Sequence, residues 1–135
     1  MEKPYRELQA YTLARGDPAF IHQHVVDAWT AQNADGRAKP IALAFALAGL
    51  YLHVERGFTG RQVQRVHTLM ARRRRAWPSF VLPRDRGRVN VEHVMTRPPG
   101  PARDRAIEAW CASVWGAFSG NRDAVVGLLE GCGIG

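Results

Sequence analysis

Pro40-Ile41-Ala42-Leu43-Ala44-Phe45-Ala46-Leu47-Ala48-Gly49-Leu50-Tyr51-Leu52-His53-Val54 is the stretch that decides the fold. From Ile41 to Leu52 it runs uncharged for twelve residues. That is too short for a bilayer, which asks for about 20 apolar residues. A segment apolar on every side of the helical wheel must be buried among other helices. Its start near Pro40 suits proline at the first helical turn, and Gly57 supplies a stop. One stripe is small (Ala42, Ala46, Gly49) and ends at His53; another is large (Leu43, Leu47, Leu50, Val54). The small stripe predicts close approach by a neighbouring helix, with His53 at the end of the contact. The expected fold is all-α: a compact bundle of five or six helices around a central apolar helix, 40–55.

On either side of that axle the chain reads as further helices. Helix one is expected from Pro4 to Arg15, stopped by Gly16. Asp17-Pro18 reads as an N-cap carboxylate followed by proline at the first helical position. The helix it opens carries an apolar stripe of Ile21, Val25, Ala28 and Trp29, with His22 beside it. Thr59-Gly60-Arg61-Gln62 reads as a capping box for helix four, whose inner stripe is Val63, Val66, His67 and Met70. Trp77-Pro78 ends it. An irregular, arginine-rich connector over 78–100 follows. Within it, Phe80–Leu82 and Arg88–Val91 could form a hairpin, or Asn90 caps a short helix through Met95, the preferred alternative. Helix five carries Ile107, Trp110, Cys111, Val114 and Phe118 at helical spacing. Ser119-Gly120-Asn121 breaks the chain before a last helix, Arg122 to Glu130, and a frayed tail from Cys132.

Composition bounds the class. One domain, 1–135, is long enough to bury a core without staples. Met1-Glu2-Lys3-Pro4 leads into a polar segment, so no secretory signal is expected and the cytoplasm is the expected location. Two cysteines without a CxxC pair point to free thiols, not a cysteine zinc site. Residues 61–105 carry twelve arginines against Asp85, Glu92 and Asp104, a net charge of +9. Residues 1–60 are neutral and 106–135 carry −2. So localised a positive field draws anionic partners.

Three histidines are the sharpest chemical feature. His22, His53 and His67 fall on the inward faces of three different helices, one way a bundle builds a metal site for a divalent ion such as zinc. His24, Asp27 and Glu55 are candidate outer partners or a fourth ligand. His24 lies about 200° round the wheel from His22, so an intact helix cannot offer both to one ion. It is one turn from Asp27, which would fix its tautomer. The alternative is that each histidine packs in the core, hydrogen-bonded to a backbone carbonyl or to Tyr11, Tyr51 or Gln64.

Two further readings come from other residue types. Arg61, Arg65, Arg72 and Arg75 line one face of helix four, the row that contacts to nucleic-acid phosphates or another polyanion require. Four tryptophans suggest a protein-interaction module, a homodimer through helix two or helix five. Enzyme signatures are missing: no GxSxG elbow, no phosphate-binding glycine loop after a strand, no HExxH. Cys111 is framed by Trp110, Val114 and Trp115, as a packed thiol would be.

The segments GDPAFIHQHVVDAW (16–29), GLYLHVERGFTGRQVQRVH (49–67), PPGPARDR (98–105) and WCASVW (110–115) together resemble a bacterial family of small domains of unknown function. The resemblance implies a single domain and a bacterial source, and brings no activity with it. Some relatives carry a cysteine-rich start. This chain has no cysteine before Cys111, so a metal role tied to that segment would not transfer.

Overall fold

The computed structural model describes residues 2–73 and 76–134. Among them the chain is an all-α bundle of six helices of ten or more residues, one short α-helix and one 3-10 turn (Ser119–Asn121), with no strand. They are α1 (Glu2–Arg15), α2 (His22–Gln32), α3 (Pro40–Arg56), α4 (Gly60–Arg73), the short α5 (Val91–Met95), α6 (Pro101–Phe118) and α7 (Arg122–Gly131). The expected apolar axle is α3, buried from Leu43 to Leu52 except for half-buried Phe45. It packs on α2, α4, α6 and α7, which explains why no side of it is polar.

Both ends of the α3–α4 junction form as their residues dictate. Gly57 takes the left-handed conformation at φ 69°, with its N–H on the His53 carbonyl and the Phe58 N–H on that of Leu52. The capping box closes reciprocally: Thr59 N–H donates to Gln62 Oε1 at 2.8 Å and Gln62 N–H to Thr59 Oγ1 at 3.1 Å.

α2 starts later than Asp17-Pro18 predicts. Those residues form a turn, with the Phe20 N–H on the Asp17 carbonyl and the Ile21 N–H on its carboxylate. Phe20 then takes φ 59°, a region a bulky side chain occupies only under constraint, and the helix begins at His22. The constraint is α4. The Ala19 carbonyl accepts the Arg61 N–H at 3.1 Å, and a Cβ on Gly60 would run into the Phe20 carbonyl. The strained turn thus satisfies the start of α4 and brings it close to α2.

The connector resolves in favour of the short helix: Asn90 caps α5, its side chain accepting the His93 N–H at 2.9 Å. The irregular stretch before it is tied down. Asn121 exchanges two hydrogen bonds with the Val81 backbone, and Ser113 Oγ accepts the Arg88 N–H. Arg86 does not belong to a basic surface. Its guanidinium donates to the Ala31 and Gln32 carbonyls at the end of α2 and stands over the Phe118 ring. The tail is not frayed as far as Ile134: Cys132 is buried, its carbonyl accepts from Arg73, and the Ile134 N–H reaches the Leu129 carbonyl. Gly133, at φ 80°, makes that turn.

Candidate functional site

A polar cluster lies where α2, α3 and α6 meet, running from buried Asp27 and His24 to half-buried His53 and exposed Glu108. It begins with a glycine. A Cβ on Gly49 would overlap the Asp27 carboxylate and touch Val63, so only glycine lets α2 place a carboxyl group against α3. Asp27 is buried, with Oδ1 accepting from Gln23 Nε2 at 3.0 Å and Oδ2 without a described partner. Burial outweighs that hydrogen bond and raises its pKa well above the usual carboxylate range.

One turn earlier on α2, the buried His24 ring stacks on His53 of α3, centroids 3.5 Å apart and planes 15° from parallel. His24 Nδ1 is the second buried polar atom without a described partner. Burial, and then the neighbouring His53, lower its pKa to about 3, so the ring is neutral. His53 behaves oppositely. Burial alone would lower its pKa, but hydrogen bonds to Glu108 and the Phe58 carbonyl outweigh burial and raise it. Both contacts are 2.9 Å, from Nε2 and Nδ1 respectively, and both partners are acceptors. With a proton on each nitrogen, His53 is an imidazolium paired with the Glu108 carboxylate, whose pKa that bond lowers. The Cys111 thiol lies beneath, its Sγ donating to the His24 carbonyl at 3.7 Å. Burial raises its pKa well above normal, so it is no thiolate nucleophile.

The structure does not bring His22, His53 and His67 together as a ligand set. His22 is bonded to Thr12 Oγ1 at 2.9 Å, facing α1. His67 Nε2 donates to the Phe45 carbonyl at 2.8 Å, with its ring stacked on Phe45. The inward histidine of α2 is His24, because α2 is covered by α3 and α6 on the side opposite α1. The expected His24–Asp27 bond is not made. Glu55 is also elsewhere, paired with Arg122 and accepting from Trp115 Nε1. Among the described residues no group of three or more His, Cys, Asp or Glu side chains is placed to hold a metal ion. Each of the three rings has its own separate hydrogen-bond partner.

Glu108 is the participant that the sequence reading passed over. Its signal was a carboxylate one turn before buried Cys111 at the edge of an otherwise apolar stripe.

Arg61, Arg65 and Arg72 are exposed, as is Thr68 between them, while Val63, Val66 and Met70 are buried behind. Arg61 stands over the Phe20 ring at 5.1 Å, and no described carboxylate pairs with Arg61, Arg65 or Arg72. Arg75, expected in the same row, lies outside the described residues. Of the four tryptophans, Trp110 and Trp115 are buried, Trp29 stacks on Tyr5, and Trp77 meets Phe45 edge-on.

A helical bundle with a charged-and-neutral histidine pair stacked between two of its helices and a one-sided basic helix is the class of protein these features define. More specifically, the chain belongs to a family of unknown function (DUF5946), whose model matches residues 2–119, from α1 through the end of α6. No curated protein and no solved structure matched it. No helix among the described residues is long and apolar enough to cross a membrane.

Proposed function

We propose that this domain binds the phosphodiester backbone of nucleic acid through the outer face of α4, without reading bases. One observation carries the proposal. From Arg56 to Arg84 the chain holds eight arginines and no acid; of the two carboxylates that flank this segment, Glu55 is committed to Arg122 and Asp85 accepts the Gly87 N–H. The row from Arg61 to Arg72 spans about 16 Å at 1.5 Å per residue. That length covers roughly five phosphates of one strand at 3.4 Å each along the axis.

The rear of α4 supports the same reading. His67 bonds to the Phe45 carbonyl, Val63 lies against Gly49, and Gly60 abuts the 19–20 turn. A helix fixed at three points presents its arginines from a pre-ordered backbone, so that only their side chains remain to be ordered on binding. The buried cluster has a place in this scheme, since Asp27, Gly49 and Val63 form the contact of α2, α3 and α4.

Titrating a short DNA duplex of arbitrary sequence at two salt concentrations tests the proposal. Three phosphate contacts give a log–log slope of about −2.7, an affinity loss of roughly 40-fold between about 50 and 200 mM salt. Replacing Arg61, Arg65 and Arg72 by Gln, all exposed, should leave the helical circular dichroism unchanged and flatten that slope. Binding that ignores salt, or survives the triple replacement, would refute it.

A further inference from the structure

A second basic feature lies on another part of the surface, between α5 and α6. A concavity of about 280 Å³ is lined by His93, Arg97, Ala102, Arg105, Ala106 and Ala109. We infer that it is a binding site for a small phosphorylated ligand, a phosphate monoester held by Arg97 and Arg105 with His93.

The hollow exists because α6 offers alanine at 102, 106 and 109, three positions of one helical stripe where longer side chains would fill it. Its rim is cationic. Arg105 stands one residue before Ala106. His93 and Arg97 are four apart where α5 turns out of its last residues, held by the Arg97 N–H on the Val94 carbonyl. The turn is braced from α6, where Arg103 Nε donates to the Arg97 carbonyl at 3.0 Å. Arg103 spends its own charge over the Tyr11 ring, at 4.8 Å.

The carboxylates of α6 are already occupied. Asp104 takes Arg15 at 2.6 Å and the Tyr11 hydroxyl at 2.9 Å, and Glu108 takes His53. The acid of α5, Glu92, does not line the hollow. Arg97 and Arg105 therefore face it with no described carboxylate neutralising them. Two guanidiniums offer the fork geometry that a phosphate's three oxygens accept, and a histidine adds a third donor. Pockets for drug-sized ligands run from about 300 to 1,000 Å³. This one falls just below, which fits a phosphate and a few further atoms, not a dinucleotide.

The site shares no residue with the α4 row, so the two proposals fail separately. The test is to titrate the whole chain with inorganic phosphate, glycerol phosphate and sodium chloride at constant ionic strength, followed by NMR. Glycerol phosphate should shift the His93 ring resonances and saturate; chloride should not. Inorganic phosphate binding as tightly as the ester would assign the site to the free ion and overturn the ester. Arg105→Gln should weaken binding roughly tenfold, the loss of one charge-assisted partner. Ala109→Leu, at an exposed position, fills the hollow with every charge intact and should abolish binding. Arg65→Gln/Arg72→Gln should leave it unchanged. Retained affinity in Ala109→Leu, or equal loss in the α4 double variant, would overturn the site in favour of diffuse charge.

Discussion

Lowering the pH from 7 to 5 should destabilise this protein through His24, by an amount the cluster geometry sets. In the unfolded chain the ring takes up a proton near pH 6.5. In the fold it stays neutral down to about 3, because it is buried and stacked on the His53 imidazolium. The unfolded state therefore binds more protons between those values, and stability declines as pH falls through that window. At 1.36 kcal/mol per unit, the change from pH 7 to pH 5 is about 2 kcal/mol. The raised pKa of His53 acts in a different window: its contribution is complete below 6.5 and is lost as pH rises through the folded value. Glu108, depressed, loses its contribution only as pH falls below the ordinary carboxylate range. His22 and His67 are lowered by burial and share the sign of His24, whereas Asp27, raised by burial, gains stability as pH falls, so the His24 contribution is read from the difference between wild type and variant. The assay is urea unfolding at pH 7 and pH 5 of wild type and His24→Phe, which keeps an aromatic ring against His53 and cannot be protonated. The variant should lose about 2 kcal/mol less over that interval, whatever its absolute stability. An identical change with pH in both proteins would refute the buried, neutral His24.

Gly49→Ala should cost about 1–3 kcal/mol as an overpacked contact, since its Cβ meets the Asp27 carboxylate and Val63. Combined with Asp27→Ala the loss should be less than additive; strict additivity in urea unfolding would mean that the two do not touch. Arg86→Gln should cost about 2 kcal/mol, because its guanidinium serves the Ala31, Gln32 and Pro83 carbonyls. Exposed Arg84→Gln should change stability by less than about 0.5 kcal/mol, and equal losses in thermal melts would remove Arg86 from its structural role.

The fold was legible because its strongest signals are local. Twelve uncharged residues in α3, the Thr59–Gln62 box, Gly57 and the α6 stripe each name an element without knowledge of the others. The site was less legible, for a geometric reason. A helical wheel ranks faces by their apolar residues, and α2 is buried on a second face that carries His24 and Asp27. Only the position of α3 and α6 makes that face interior. Glu108 lies 55 residues from His53. The Asp17-Pro18 signal failed for a similar reason, since the turn at Phe20 is held by α4, far along the chain.

Fixing α4 and charging α4 are separable contributions to the proposed backbone binding, and salt tells them apart. The slope of affinity against salt counts the phosphates neutralised, and thus the arginines that reach them. The affinity at any one salt concentration also contains the cost of ordering those arginines. Gly49→Ala removes no arginine and strains the α2–α3–α4 contact behind them. If a rigid α4 matters, this variant binds the duplex more weakly at every salt concentration with the slope unchanged. If charge alone matters, both slope and affinity are those of wild type. A changed slope would mean that the arginines themselves had moved, and that the polar cluster positions the row as well as stiffening it.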